Sequence, residues 1–256
     1  MLLASFTAAY IIPGAGKSDV VTTVLTVAGI LFAICIGFFI TDLWSRFENI
    51  RGSVAIEVSG LITYLHFVKI LGEFKAHRAF LKKQTELIDK YVKKFISVEW
   101  HDYQYTDPEF NAILDSLKEI KELKTNKESE TYSAILSVLG FVSDARKKMT
   151  ILGQDRLSKA EWTVVLSLSI TLIFCLFYLK EPTTTSIVFT GLLTSVTLLL
   201  LLILQDLDNL SYGEETISFE PYERIFDVIG KPRFYLKKDV ESKRITLPRD
   251  KEYRLG

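Results

Sequence analysis

Three long blocks of apolar residues interrupt an otherwise polar and charged chain. They run from Val20 to Thr41, from Trp162 to Leu179 and from Thr185 to Leu204, and none of them contains a charged residue. About 20 residues with a rise of 1.5 Å each cross the roughly 30 Å hydrocarbon core of a bilayer, so each block is long enough to be a membrane helix. The turn at Lys180–Thr184 joins the second and third blocks, which predicts an antiparallel helical hairpin.

The first block is expected to extend beyond the membrane. No helix breaker separates Thr41 from Asp42, so the helix should continue into water. Trp44 and Phe47 stand at this join, where aromatic side chains anchor membrane helices at the headgroups.

The N-terminal residues form a shorter apolar segment. Met1 to Pro13 are too few to cross a bilayer, and they fit an interfacial segment, a re-entrant segment or a stub of a membrane helix. Pro13–Gly16 breaks this segment from the first block. The Gly-x-Gly-Lys-Ser fragment at Gly14–Ser18 lacks the spacing and the preceding strand of a phosphate-binding loop, so we assign it no such role.

Between the first and second blocks the sequence predicts amphipathic helices, because apolar residues recur at the helical period. Thr106–Glu109 predicts a helix start that Asp107 caps, with Pro108 in the first helical position. Asn126–Glu130 is polar and is expected to connect two helices. Three stripes carry the helical pattern: Leu81, Thr85, Ile88, Val92, Phe95 and Glu99; Phe110, Ile113, Leu114, Leu117 and Ile120; and Tyr132, Ile135, Leu136, Leu139 and Val142.

Together these segments predict an all-α polytopic membrane protein with three to four membrane helices per subunit and a cytoplasmic helical domain. The orientation follows from basic residues, which are retained in the cytoplasm. Lys17 and Lys180 are the basic residues on one side of the membrane, whereas five basic residues precede the second block. This distribution predicts a protein of the cell (inner) membrane with its N-terminus outside the cell and its C-terminus in the cytoplasm. The expected divisions are a short apolar segment at 1–19, a membrane helix at 20–41, a helical domain at 42–160, a membrane hairpin at 161–205 and a C-terminal segment at 206–256.

Composition narrows the function. The 31 basic and 31 acidic residues give no net charge, which argues against a nucleic-acid partner. Cys35 and Cys175 lie in apolar blocks and suggest neither a disulfide nor a metal site. The spacing of the histidines does not fit a zinc pair, and no catalytic motif is present, so we expect no enzyme, cofactor or metal. The three histidines are His66, His77 and His101.

The run GILFAICIGFFITDLWSRFEN (29–49) resembles the second transmembrane helix of bestrophins, a family of pentameric ion channels. Ile30, Ile34 and Phe38 recur every four residues on one helical face, and Gly37 precedes the phenylalanine as in the family. Bestrophins also have a Trp/Arg/Glu/Asn cluster just after this pair. The matching residues here are Trp44, Arg46, Glu48 and Asn49. The size and later layout are similar to the bacterial bestrophin-like membrane proteins.

This resemblance implies a homo-oligomer, most simply a pentamer, that conducts small monovalent ions without a cofactor. Ile30, Ile34 and Phe38 would form a hydrophobic pore neck, which can exclude water and gate by dewetting. By pattern alone, the same residues could be a stripe that faces lipid or another helix.

The role of Asp42, the sign of the conducted ion and the role of the Trp44–Asn49 cluster each have two interpretations. Asp42, one turn after Phe38, is either a selectivity residue below the neck or a solvated residue at a helix end. Most characterised bestrophins pass anions such as chloride, whereas some bacterial members prefer cations, so the sign of the ion is open. The Trp44–Asn49 cluster either holds helices or subunits together by Arg–carboxylate pairing or is an exposed charged turn.

The rest of the chain is also compatible with a function other than an ion channel. A non-conducting membrane-anchored scaffold, whose cytoplasmic helices bind a partner, would have the same layout. Asp206, Asp208, Glu214 and Glu215 are acidic but do not form the dense run through which animal bestrophins bind calcium, so calcium dependence is not carried over. The charged tail at 239–256 is expected to be disordered or wrapped on a neighbouring subunit.

Overall fold

The computed structural model describes residues 2–98, 100–120, 123–212, 215–216, 220–241 and 252–256. Within these ranges the protein is almost entirely helical, which confirms the predicted all-α class. The helices are α1 (Leu2–Ile11), α2 (Asp19–Gly72), α3 (Arg78–Ser97), α4 (Asp107–Ser116), α5 (Asn126–Gln154), α6 (Lys159–Tyr178), α7 (Thr184–Asp208), α8 (Glu220–Ile229) and α9 (Lys237–Glu241). Turns of 3₁₀ helix lie at Lys75–His77, Trp100–Thr106 and Leu117–Glu119.

Short strands supplement the helices. The antiparallel pair β1 (Ser211–Tyr212) and β2 (Glu215–Thr216) follows α7, and β3 (Arg233–Tyr235) pairs in parallel with β4 (Tyr253–Leu255). The chain divides into two compact units, Met1–Phe47 with Arg156–Thr216, and Glu48–Asp155 with Ile217–Gly256. Helix α2 contributes residues to both units.

Among the described residues, three helices are long and apolar enough to cross a membrane, α2, α6 and α7. The first unit contains α6, α7 and the part of α2 up to Phe47. Helix α2 continues well past Asp42, as the sequence predicted. Ser158 caps α6 reciprocally with Glu161, and Thr183 caps α7 through the backbone N–H of Ser186, which explains where the hairpin helices begin. The core of the unit comprises Ala28, Phe32, Ile36, Leu43, Val165, Leu172, Leu204 and Leu207.

The N-terminal segment forms helix α1, which packs against α7. The Lys180 ammonium group donates to the carbonyl oxygens of Ala9, at 2.6 Å, and of Ile12. These carbonyls end α1 and have no partner within the helix, so a cation stabilises them. The glycine-rich loop after α1 lies against the hairpin turn, because a Cβ on Gly14 would collide with the Lys180 carbonyl. This close approach accounts for glycine at position 14, whereas Gly16 has a φ of 85°, in the left-handed region that favours glycine.

The second unit packs the predicted amphipathic helices around a core of aromatic and aliphatic side chains. Ile88, Val92 and Phe95 on α3 are buried, as are Ile135, Leu139 and Val142 on α5. Leu136, which the sequence placed in the α5 stripe, is 46% exposed. Glu99, at the end of the α3 stripe, lies outside the described residues.

The helix start predicted at Thr106–Glu109 is confirmed, but one predicted connection and one predicted cap residue were wrong. Asn126–Glu130 is the first turn of α5 and does not connect helices, because Thr125 and Glu128 form a reciprocal capping box. Helix α4 begins at Asp107 with Thr106 in the cap position, and Asp107 is not the cap. Its carboxylate instead accepts from Arg146 Nη2 at 2.7 Å, a contact distant in sequence that local capping rules do not include.

The structure also corrects the prediction for the end of the C-terminal tail. Residues 252–256 are not disordered, because β4 pairs with β3 of the same chain. Arg254 donates to Asp89 Oδ2 on α3 at 3.1 Å, which fastens the strand to the second unit. The alternative, contact with a neighbouring subunit, stays a prediction. Of the rest of the predicted tail, 239–241 belong to α9 and 242–251 lie outside the described residues.

Candidate functional site

The three residues predicted to form a neck share the exposed face of α2. Ile30, Ile34 and Phe38 are 57%, 63% and 67% exposed, although each is strongly apolar. Phe32 and Ile36, which point to the other side of the helix, are buried in the core of the first unit. One side of α2 therefore supports the fold, and the other is available to face lipid or other copies of the chain.

Gly37 and Asp42 lie on the same part of α2. A Cβ on Gly37 would meet no atom within 4 Å, so packing within the subunit does not require glycine there. Asp42 is exposed, one helical turn after Phe38. Its position is compatible with both interpretations of this carboxylate, and its selectivity role stays a prediction.

Arg46 is the member of the predicted cluster that contacts another helix of the first unit. It is only 5% exposed, and its Nη1 donates to the backbone carbonyl of Asp208 at 3.2 Å. The same nitrogen lies 3.9 Å from Asp208 Oδ1. Asp208 belongs to the last turn of α7, so Arg46 links α2 to α7 through a backbone carbonyl, with the carboxylate at ion-pair distance. A role of the whole cluster in holding helices or subunits together stays a prediction.

The other members of the cluster contact neighbours on α2 and, at Asn49, a residue of α5. Trp44 stacks on Phe47, with ring centroids 6.0 Å apart. Glu48 accepts from Arg51 at 3.1 Å, one turn further along the helix. In the second unit, the Asn49 side-chain oxygen accepts from Lys148 Nζ at 3.2 Å. The turn therefore combines a buried helix-to-helix contact at Arg46 with an exposed polar surface.

The sequence pattern did not reveal a buried polar cluster around Glu57. The Glu57 carboxylate is fully buried and accepts hydrogen bonds from three tyrosine hydroxyls. Tyr103 donates to Oε2 at 2.8 Å, Tyr222 donates to the same atom at 2.7 Å, and Tyr91 donates to Oε1. The signal was present: Glu57 lies on the face of α2 that buries Val54, Val58 and Leu61, where an acidic residue needs partners.

Arg146 on α5 balances the charge of this cluster. Its Nη1 lies 3.6 Å from Glu57 Oε1, and the guanidinium packs over the rings of Tyr91, Tyr103 and Phe110. Burial by itself lowers the pKa of Arg146, but its electrostatic interactions with the tyrosines and Glu57 raise it overall. The cluster is thus an ion pair with its hydrogen bonds satisfied, which is typical of a structural centre.

The described residues contain no group of three His, Cys, Asp or Glu side chains that could hold a metal ion. His77 is buried and His66 is exposed. The His101 side chain and Glu214 lie outside the described residues.

Comparison with known proteins identifies the fold. Residues 7–222 match the family model of the bestrophin-like domain. A variant of a bacterial bestrophin homologue from Klebsiella pneumoniae superposes with a TM-score of 0.68 at 11% identity, covering 90% of this chain and 98% of that one. A second variant gives 0.66 at 12% identity, with coverage of 90% and 98%.

A third solved structure, described as a membrane protein, gives a TM-score of 0.66 at 12% identity and covers 90% of this chain and 97% of that one. At such identities the likeness establishes the fold alone. No protein of curated function shows significant sequence similarity.

Proposed function

The chain belongs to the bestrophin-like family and is a membrane protein, and from this premise we propose that copies of it assemble into an ion channel around a shared axis. The observation that carries the proposal is the exposed face of α2, where Ile30, Ile34 and Phe38 recur every four residues with more than half of each side chain uncovered. A pentamer is the simplest assembly that the family suggests, and a repeated side-to-side contact closes such a ring.

In this assembly the three apolar residues from each copy form a neck that narrows a water path. Rings of isoleucine and phenylalanine exclude water when the passage is narrow, so small movements of α2 open or close it by wetting or dewetting. Asp42 then places a ring of carboxylates one turn beyond the neck. Monovalent ions pass through the inner membrane by this route, and the carboxylate ring favours cations.

Purified protein in a planar bilayer tests the proposal. We expect single-channel currents that grow when Ile34→Ala and Phe38→Ala are combined, because the smaller side chains widen the neck and favour water within it. Asp42→Asn should shift the reversal potential in a salt gradient, since it removes the charge of the ring.

A matched control is available on α6. Ile170 and Phe174 have the same residue types and the same spacing, and they are 67% and 61% exposed. Combining Ile170→Ala with Phe174→Ala should leave the current unchanged if only the α2 face lines the pore. Silence of both the natural protein and the neck variant would instead favour the membrane-anchored scaffold.

A further inference from the structure

The carboxylate of Asp208, at the end of α7, is held in a fixed orientation. Its Oδ1 accepts from the backbone N–H of Leu157 at 2.9 Å, and its Oδ2 accepts from Trp162 Nε1 at 3.2 Å. Asp208 is 8% exposed. Since Leu157 and Trp162 flank the start of α6, these two hydrogen bonds tie the end of α7 to the beginning of its hairpin partner.

Arg46 connects the same residue to α2. Its guanidinium donates to the Asp208 carbonyl at 3.2 Å, in the last turn of α7, where carbonyls lack a partner within the helix. The negative end of the helix dipole favours a cation there. A single residue of α7 therefore receives polar contacts from α2 and from the start of α6.

This contact differs in kind from the apolar packing of α2. Phe32, Ile36 and Leu43 bury against the core of the unit, which selects the side of α2 that faces inward but tolerates small rotations, because apolar attraction itself is not directional. A hydrogen bond does depend on direction, so it distinguishes one rotation of a helix from another. Arg46 follows Phe38 by eight residues, which is about 12 Å along α2.

We propose that Asp208 is a positioning residue of the channel: held by Leu157 and Trp162, it holds Arg46 and so sets the rotation of α2 that turns Ile34 and Phe38 toward the axis. The inference rests on the proposed function, because it needs the neck. It gives the last membrane helix a direct role in neck geometry, although α7 supplies no neck residue.

Disulfide formation between copies tests this role without any measurement of current. In a Cys35→Ser, Cys175→Ser background, single cysteines are placed on α2 by Gly37→Cys, Phe38→Cys or Phe39→Cys. Mild oxidation of the purified oligomer should cross-link Phe38→Cys fastest, because residues that face a narrow axis approach their counterparts in neighbouring copies.

Asp208→Asn and Arg46→Gln should each slow cross-linking of Phe38→Cys by about fivefold, which corresponds to the free energy of one lost hydrogen bond. Each should speed cross-linking at Gly37→Cys or Phe39→Cys. Trp162→Phe keeps the aromatic packing and should cause a smaller change in the same direction. Glu48→Gln, which removes an exposed partner of Arg51, is the matched control and should leave the pattern unchanged.

The outcomes are separable. If Phe38→Cys fails to cross-link in the otherwise unchanged protein, the neck and the proposed function fail. If it cross-links and the Asp208 and Trp162 variants keep the same pattern, the positioning role is overturned. A uniform loss at all three positions would indicate general destabilisation and also overturn it, and Trp162→Phe decides the question if Asp208→Asn does not assemble.

Discussion

Tyr91, Tyr103 and Tyr222 come from three segments of the second unit and donate to one carboxylate, that of Glu57. Burial raises the pKa of all three hydroxyls, and the nearby negative charge of Glu57 raises it further. The hydroxyls therefore remain donors in the folded state at pH values where an exposed tyrosine ionises. This arrangement makes the stability of the unit sensitive to alkali.

We predict that stability falls as pH rises above about 10, the ordinary pKa of tyrosine. Because the folded-state pKa is raised, the unfolded chain binds fewer protons there, and each buried tyrosine costs about 1.4 kcal/mol of stability per pH unit. Tyr222→Phe should lower stability at neutral pH by about 2 kcal/mol, through the lost hydrogen bond to a charged group, but make the alkaline decline less steep.

The measurement is thermal unfolding of the detergent-solubilised protein between neutral and alkaline pH, with tyrosinate absorption recorded in parallel. Tyr105→Phe is the control, since Tyr105 is 58% exposed, and its unfolding midpoint at neutral pH should match the parent. An unchanged alkaline slope in Tyr222→Phe would contradict the assignment of a raised pKa to this hydroxyl.

At the scale of elements, α2 and α5 approach closely in the second unit because one position lacks a side chain. A Cβ added to Gly60 would lie 2.5 Å from Val142 Cγ2, and Val142 is fully buried. Glycine weakens a helix by about 1 kcal/mol relative to alanine. Close packing against α5 is therefore the physical reason for a glycine in the middle of α2.

Gly60→Ala should destabilise the protein by about 1–3 kcal/mol through overpacking, despite the better helix propensity of alanine. Combined with Val142→Ala it should cost less than the sum of the two single changes, because the smaller residue makes room for the added methyl group. Gly52→Ala on the same helix is the control. A Cβ added to Gly52 would meet no atom within 4 Å, so this change should stabilise the helix by up to about 1 kcal/mol. The measurement for all these variants is the midpoint of unfolding. Strict additivity of Gly60→Ala and Val142→Ala would rule out the contact.

At the scale of the whole molecule, the distribution of basic residues carries the orientation. Five basic residues lie before the apolar part of α6, whereas Lys17 and Lys180 are isolated. They are Arg146, Lys147, Lys148, Arg156 and Lys159, the first residue of α6. The three candidate spans separate the two ends of the chain by an odd number of crossings. Both arguments predict that the N-terminal side lies outside the cell and that the polar residues between the first and second spans lie inside.

Labelling with a membrane-impermeant thiol reagent checks this orientation. In a background without Cys35 and Cys175, Lys17→Cys should react in intact cells, whereas Lys237→Cys should react only after permeabilisation. The reverse pattern would invert the topology and place Asp42 on the outer side of the neck.

Local sequence pattern predicts the membrane class, the three apolar helices, the extension of α2 past Asp42 and most of the buried stripes on α3 and α5. These features depend on local composition and on the helical period, which a single chain displays directly. The family resemblance came from one such stretch, around Gly37 and Phe38, and the domain match confirmed it.

Tertiary structure decided which polar residues meet. Glu57 and Tyr222 are 165 residues apart, and Arg46 and Asp208 are 162 apart, so no spacing rule could pair them. The pairing of the Asp107 carboxylate with Arg146 also required a distant helix, α5. Apolar periodicity states which side of a helix is buried, but directional hydrogen bonds among distant residues require the coordinates of both partners.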